Sequence, residues 1–335
     1  VTDAEHGRDG FDTTLRTLEL SANAWVDPKA WAYFVAASDG EALAVEEAAV
    51  HYTGLGGNST LRAGRFFVDF GKQMQTHIHE LRTVERPLAL RHLLGDEIKG
   101  DGVQWDDWMG VGDTTVLRWS IGVFSNLLPE VGDDFDPTAA AEPSIATRKD
   151  AQDFNFTARA TGFSDVGESG VLQLGASLRG IPNYALDFAP SGDVATDLSN
   201  YVWGFDATYG WTGETGEERW TCGGEFLLAT GDTGSRIVAN AIDVTDDTLN
   251  GCFVFGDYAW DRYHSAGVQL SATELPGTSG AEAYEVEAYY TRMLSEFQRL
   301  RLSVSSGDSD IDGRSTRVAL QYSAFVGAHG HGANW

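Results

Sequence analysis

The stretch THIHELRTVERP, residues 76–87, gathers two histidines, two glutamates and two arginines into one short segment. His77 and His79 stand two apart, and residues two apart on an extended segment share a face. Imidazole suits zinc, copper and nickel, so this pair with Glu80 as a third ligand is a candidate metal site. The same letters suit the polar lining of a wet passage. His77, His79, Glu80, Arg82, Glu85, Arg86, Arg91 and His92 would then form a mixed-charge constriction. The charge and width of such a ring decide which solutes pass. The local letters leave both readings open.

Other chemistry has less behind it. Serines are plentiful, but no G-x-S-x-G occurs, and no spacing pairs a serine with one of the eight histidines. No catalytic residue is assigned, and no enzyme is expected. The segment GDSDIDG sets Asp308, Asp310 and Asp312 at the spacing that opens an EF-hand loop. Loop position twelve would be Ala319 rather than the required glutamate, so this is no EF-hand. An acidic loop able to capture Ca²⁺ is what remains. Asp133, Asp134 and Asp136, and likewise Asp243, Asp246 and Asp247, read the same way with less spacing support. No cofactor is required; such loops are either simply solvated or hold Ca²⁺.

The whole chain limits what these groups can serve. Fifty acidic residues against 23 basic ones give a net charge of −27, and only four of the 335 residues are lysine. Such a surface repels nucleic acid, whose binders need a basic footprint. Cys222 and Cys252 form no CxxC pair, so redox and zinc-finger readings lack support. No apolar run is long enough for a transmembrane helix. The opening VTDAEHGRDG has neither the basic region nor the apolar region of a signal peptide.

The dominant pattern has period two. Val318, Leu320, Tyr322, Ala324 and Val326 alternate with Arg317, Ala319, Gln321, Ser323 and Phe325. Leu172, Leu174, Ala176 and Leu178 alternate with Gln173, Gly175, Ser177 and Arg179, and Trp220, Cys222 and Phe226 with Thr221, Gly223 and Glu225. Full charges recur on the polar face, aromatics cluster near segment ends, and the sequence closes on Trp335. Dyads of this kind, with turn residues between them, mark an all-β transmembrane antiparallel barrel with lipid outside and water inside.

Fifteen strands are expected, over about 15–26, 30–38, 42–53, 60–70, 102–109, 114–125, 153–164, 170–180, 199–212, 218–230, 251–261, 263–274, 282–293, 297–306 and 314–328. Short turns alternate with longer connections at 71–101, 126–152, 181–198, 231–250, 275–281 and 307–313. Barrels of this class have even strand numbers, short periplasmic turns and longer extracellular loops. One domain over 1–335 is therefore expected, a sixteen-stranded barrel whose first strand precedes this sequence or is too divergent to recognise. Fourteen strands, or a seam filled by a neighbour, are the alternatives.

This arrangement positions the charges. Arg118, Arg159, Arg179 and Arg317 fall on the inward face, as do Glu285, Glu287, Arg299 and Arg301. The two glutamates are expected opposite the two arginines across the turn LSEF. The segment 71–101 is expected to fold into the lumen. Cys222 and Cys252 are expected on neighbouring strands but out of register, as free outward-facing thiols.

The order of motifs resembles the porin-like outer-membrane proteins often labelled zinc-regulated outer-membrane receptors, distantly similar to phosphate-selective porins. The likeness rests on LRAGRFFVDFGKQMQTHIHELRTVERPLALRHLLGDE, on SEFQRLRLSVSSGD and on LQYSAFVGAHGHGANW. It comprises Phe70–Gly71, then His77 and His79, then Arg86, Pro87 and Leu88, and finally Gly327, Ala328, His329 and Trp335. TonB-dependent transporters carry 22 strands and a plug, more than 335 residues supply. The resemblance therefore implies a porin-sized barrel and little more. The whole reading is a bacterial outer-membrane porin, among lipid and lipopolysaccharide, for passive diffusion of small polar solutes or ions, and a homotrimer is expected by analogy with general porins of this size. Two alternatives stand beside it, a zinc-linked uptake channel using 77–80 and an anchoring barrel that binds partners through acidic loops.

Overall fold

A computed structural model describes residues 13–128, 140–145 and 151–326. Its elements in order are β1 (Leu18–Asp27), β2 (Ala30–Ser38), β3 (Ala44–Tyr52), β4 (Thr60–Phe67), helix α1 (Leu88–Leu94), β5 (Lys99–Val111), β6 (Thr115–Phe124), β7 (Glu142–Ser144) and β8 (Asn155–Val166). There follow β9 (Gly170–Phe188), β10 (Asp193–Thr212), β11 (Arg219–Val238), β12 (Ala241–Ala259), β13 (His264–Glu274), β14 (Glu282–Ser295), β15 (Gln298–Ser309) and β16 (Gly313–Ala324). All sixteen strands join one antiparallel sheet in which each long strand pairs with the next along the chain. The three-residue β7 lies off this path and pairs with β9. Among the described residues β1 and β16 are the two ends of the sheet, and no pairing joins them.

The fifteen long strands coincide with the fifteen dyad segments. The expected strand ahead of residue 15 lies outside the described residues, as do Asp133, Asp134, Asp136 and the terminal motif from Gly327 onward.

The alternation translates directly into burial. Val318, Leu320 and Tyr322 are exposed on the outer face, as are Val304, Val254, Phe205 and Leu174. Their sequence neighbours Ser303, Ser305, Phe253, Asp206 and Gln173 are buried. A sheet that shows large apolar side chains outward and buries serine, aspartate, arginine and glutamate is inverted relative to a soluble protein. It matches a wall with lipid on one side and polar groups on the other. Cys222 and Cys252 are both free and exposed. Cys252 faces Phe226 in the register, four positions from Cys222.

Two expected loops are strands. Residues 181–198 and 231–250 continue the hairpins β9–β10 and β11–β12, with paired residues reaching Phe188 and Asp193, and Val238 and Ala241. Ala239 and Asn240 both have positive φ, 51° and 66°, as a two-residue hairpin turn of the primed type requires. Register shifts at Ala195–Asn200 and Asp232–Gly234 break the alternation in these halves, so periodicity did not reveal them.

Candidate functional site

The connection from β4 to β5 is the long loop of the sequence reading, and it makes the unusual contacts of the molecule. No residue from 68 to 98 is exposed. Phe66, Val68, Phe70, Met74, Ala89, Leu90, Leu93, Leu94 and Ile98 form one apolar cluster with Phe124, Leu227, Leu249, Phe253 and other wall residues. Helix α1 lies against β11, β12, β13 and β14. Pro87 precedes the helix, and Gly95, in the left-handed region at φ 77°, ends it.

The entrance to the connection is set by one glycine. Gly71 has φ +55°, and a Cβ there would stand 2.2 Å from Glu225 Oε2. Because it has none, the Glu225 carboxylate accepts the backbone N–H groups of Lys72 at 2.7 Å and Gln73 at 2.8 Å. Beside it, buried Asp69 accepts from the Ser120 hydroxyl at 2.6 Å and pairs with Arg118 at 2.9 Å. Arg159 holds Asp206 through both of its terminal nitrogens, at 2.6 and 3.1 Å, and also donates to Ser177. Burial and the nearby Arg82 push the Lys72 ammonium down to about 8.

Further along, the connection is tied to the far strands. Arg301 donates to the Thr83 carbonyl at 3.0 Å, Glu287 accepts the Val84 N–H at 3.0 Å, and Arg91 pairs with Glu285 at 3.0 Å. Arg299 donates to the His79 carbonyl. Glu85 takes Arg317 at 2.8 Å and Arg16 at 2.5 and 3.0 Å. Burial would raise the Glu85 carboxyl, but these two guanidinium groups hold it below its ordinary value.

Several expectations are corrected here. Glu285 and Glu287 do not oppose Arg299 and Arg301. The turn at 296–297 pairs Glu287 with Ser305, Glu285 with Gly307, Arg301 with Thr291 and Arg299 with Met293. Antiparallel pairing matches residues equidistant from the turn, and the arginines lie closer to it than the glutamates. All four reach the connection instead of each other. Arg179 donates to Asn200 on the adjacent strand. Arg86, expected at a constriction, is wholly buried within the connection itself. It donates to the carbonyls of Gln73 and Thr76 at 2.7 and 2.6 Å and to Glu97 at 2.9 Å, stapling the two halves of the segment together. Arg82 is stacked over the Phe255 ring at 4.6 Å, and burial lowers its pKa.

The two histidines meet a different partner from the one expected. Glu19 of β1 reaches His79 Nδ1 at 2.8 Å and His77 Nδ1 at 3.5 Å, whereas Glu80 stands 4.0 Å from His79 Nε2. Glu19, His77 and His79 are the one described group of three side chains close enough to share a metal ion. Nothing in the spacing points from His77 to a residue 58 positions away, so sequence reasoning missed Glu19. Burial alone would lower the His77 pKa, but the carboxylates of Glu46, Glu47 and Glu19 raise it to about 10. The acidic loop does not converge in this way. Asp308 lies opposite Arg314 in the register, Asp310 accepts the Glu282 N–H at 3.0 Å, and all three aspartates are exposed.

This architecture is the β-barrel fold of outer-membrane proteins. The chain is similar to OprB of Pseudomonas putida, with a TM-score of 0.58 and 11% identity, covering 92% of this chain and 87% of that one. It is also similar to the outer-membrane channel DcaP of Acinetobacter baumannii, with a TM-score of 0.54, 12% identity and coverage of 93% and 85%. An anion-selective porin from Comamonas acidovorans matches with a TM-score of 0.53, 11% identity and coverage of 92% and 84%. No protein-family model matches the chain, and no curated protein matches it. At such identities the likeness is one of fold.

Proposed function

We propose that this chain is a bacterial outer-membrane porin, a barrel through which small polar solutes or ions diffuse passively, with residues 71–101 folded into the lumen to narrow it. One observation carries the reading. A connection of some thirty residues has no exposed position, and it is tied by ionic groups to the polar face of strands at both ends of the sheet. A loop outside the wall would be wet. A loop inside a barrel draws partners for its polar groups from inward-facing side chains, and Glu225, Glu287, Arg301 and Arg317 supply several here.

The groups nearest any remaining passage are those of the connection that keep partial exposure, among them Lys72, Arg82, Glu85, Arg91 and His92. Arg86 is excluded by its burial. Charged groups of both signs across a narrow lumen favour small polar solutes over large apolar ones. The surroundings proposed are outer-membrane lipid and lipopolysaccharide. A homotrimer is proposed on the analogy with porins of this size, and light scattering of the detergent complex tests it.

The test of the channel is ion flux. Purified protein in planar bilayers under a salt gradient is expected to give stable ohmic steps, and the reversal potential reports the ion preference. Folded, heat-modifiable protein that gives no conductance would overturn the reading and favour the anchoring barrel.

A further inference from the structure

The side chains around His77 and His79 form more than a polar lining. The Glu19 carboxylate lies between the two rings, with one oxygen 2.8 Å from His79 Nδ1 and the other 3.5 Å from His77 Nδ1. A second carboxylate lies beside His77. Glu46 of β3 is 8% exposed, its Oε2 has no hydrogen-bond partner, and that oxygen lies 3.6 Å from His77 Nδ1. His77 Nδ1 is itself buried without a hydrogen-bond partner. With the imidazole protonated the two form an ion pair at 3.6 Å, longer than a hydrogen bond, and a metal ion would take the proton's place between them.

The spacing suits a metal ion. Tetrahedral zinc with ligand bonds of about 2.0–2.1 Å holds neighbouring ligand atoms about 3.3 Å apart. The two separations from Glu19 to the histidines, 2.8 and 3.5 Å, lie on either side of that value.

The far sides of the rings fit as well. His77 Nε2 faces Glu47 Oε1 at 3.1 Å, and Glu47 is fixed in turn by the Tyr33 hydroxyl at 2.9 Å and the Phe67 N–H at 3.1 Å. A carboxylate on the outer nitrogen keeps a proton there when a metal displaces the one on the inner nitrogen, as metal-bound histidines commonly show. His79 Nε2 has Glu80 on its outer side at 4.0 Å. The Glu80 expected as a ligand is placed instead as an outer partner.

We propose that His77 Nδ1, His79 Nδ1 and Glu19 form a binding site for a divalent transition-metal ion of the zinc class, with Glu46, Glu47 and Glu80 as positioning residues around the imidazoles. The site joins the connection to β1, so bound metal fastens the segment to the strand at one end of the sheet. It does not depend on the channel reading, because metal binding is measured without conductance.

Titration of the detergent-solubilised protein with Zn²⁺ against a chromophoric chelator tests it. One tightly bound ion per chain is expected, and His79→Ala and Glu19→Gln should each weaken binding at least about tenfold. Glu47→Gln should weaken it by about 10- to 100-fold, as removal of an outer-shell partner does. Asp310→Asn, in the acidic turn, should leave it unchanged. Should the histidine variants fail to fold, X-ray absorption of the Zn²⁺-loaded wild type must show two imidazole nitrogens on the ion. Zinc that binds the wild type and the His79→Ala variant equally, or an absorption spectrum without imidazole scattering, would overturn the proposal.

Discussion

Arg317 of β16 and Glu85 of the β4–β5 connection meet at 2.8 Å, and Arg16, just ahead of β1, holds the same carboxylate at 2.5 and 3.0 Å. One side chain thus links residues beside both ends of the sheet, where no strand pairing does so among the described residues. The two arginines keep the Glu85 carboxyl below its ordinary pKa against the opposing effect of burial.

That link gives a pH dependence with a definite sign. A carboxyl depressed in the folded state stabilises it above the unfolded value of about 4.3. The contribution disappears as pH falls through the lower folded value. Melting midpoints of the detergent complex should therefore drop on acidification below about pH 4. Arg317→Gln should make that drop smaller, because the folded value moves back towards the unfolded one. An unchanged acid profile in Arg317→Gln would mean that Glu85 is not held in this way.

Gly71→Ala tests the entrance to the connection. The new Cβ meets the Glu225 carboxylate at 2.2 Å, and φ is +55°. A non-glycine residue in that region costs on the order of 1–3 kcal/mol, and here the carboxylate must also move. Urea unfolding in lipid vesicles should show a loss of at least this size, whereas Gly167→Ala, in an open turn, should lose less. Equal losses at both positions would remove the special role of Gly71.

Arg86 supports a double-mutant cycle. Its guanidinium is wholly buried and holds two carbonyls and Glu97. Arg86→Met should cost about 3–5 kcal/mol, because it leaves a buried charge without its partner. Glu97→Gln should then cost less in the Arg86→Met background than alone. Additive losses would show that the two residues are not coupled.

The sheet and its outward face were legible in the sequence because lipid imposes a period-two pattern on every strand it wets. Leu174, Phe205, Val254, Val304 and Leu320 all obey it. The outer halves of β9–β12 were not legible, since register shifts at Ala195–Asn200 and Asp232–Gly234 break the alternation and apolar residues such as Leu186 and Leu198 turn inward. Within the candidate site, the local members His77, His79 and Glu85 stood out by type and spacing. Their partners Glu19, Glu46, Glu47 and Arg317 come from strands far off in sequence, and only the pairing register brings them near. Arg86 shows the converse limit, for a charged residue in a polar stretch read as lining and is a buried staple.

The register also fixes the thiols. With Cys252 opposite Phe226 and both cysteines on the outer face, mass spectrometry of protein purified without reductant should find two free thiols. In lipid vesicles both should resist a charged maleimide yet react once the protein is unfolded. Rapid labelling in intact vesicles would contradict the assignment of that face to lipid.

The most direct test of the account is single-channel conductance of the wild type beside a variant in which residues 72–97 are replaced by a short glycine–serine linker, with heat-modifiable migration confirming that the barrel forms. The account predicts ohmic steps from both proteins and a conductance several-fold larger in the variant, because the segment that narrows the lumen is gone. Equal conductance from two folded barrels would contradict it.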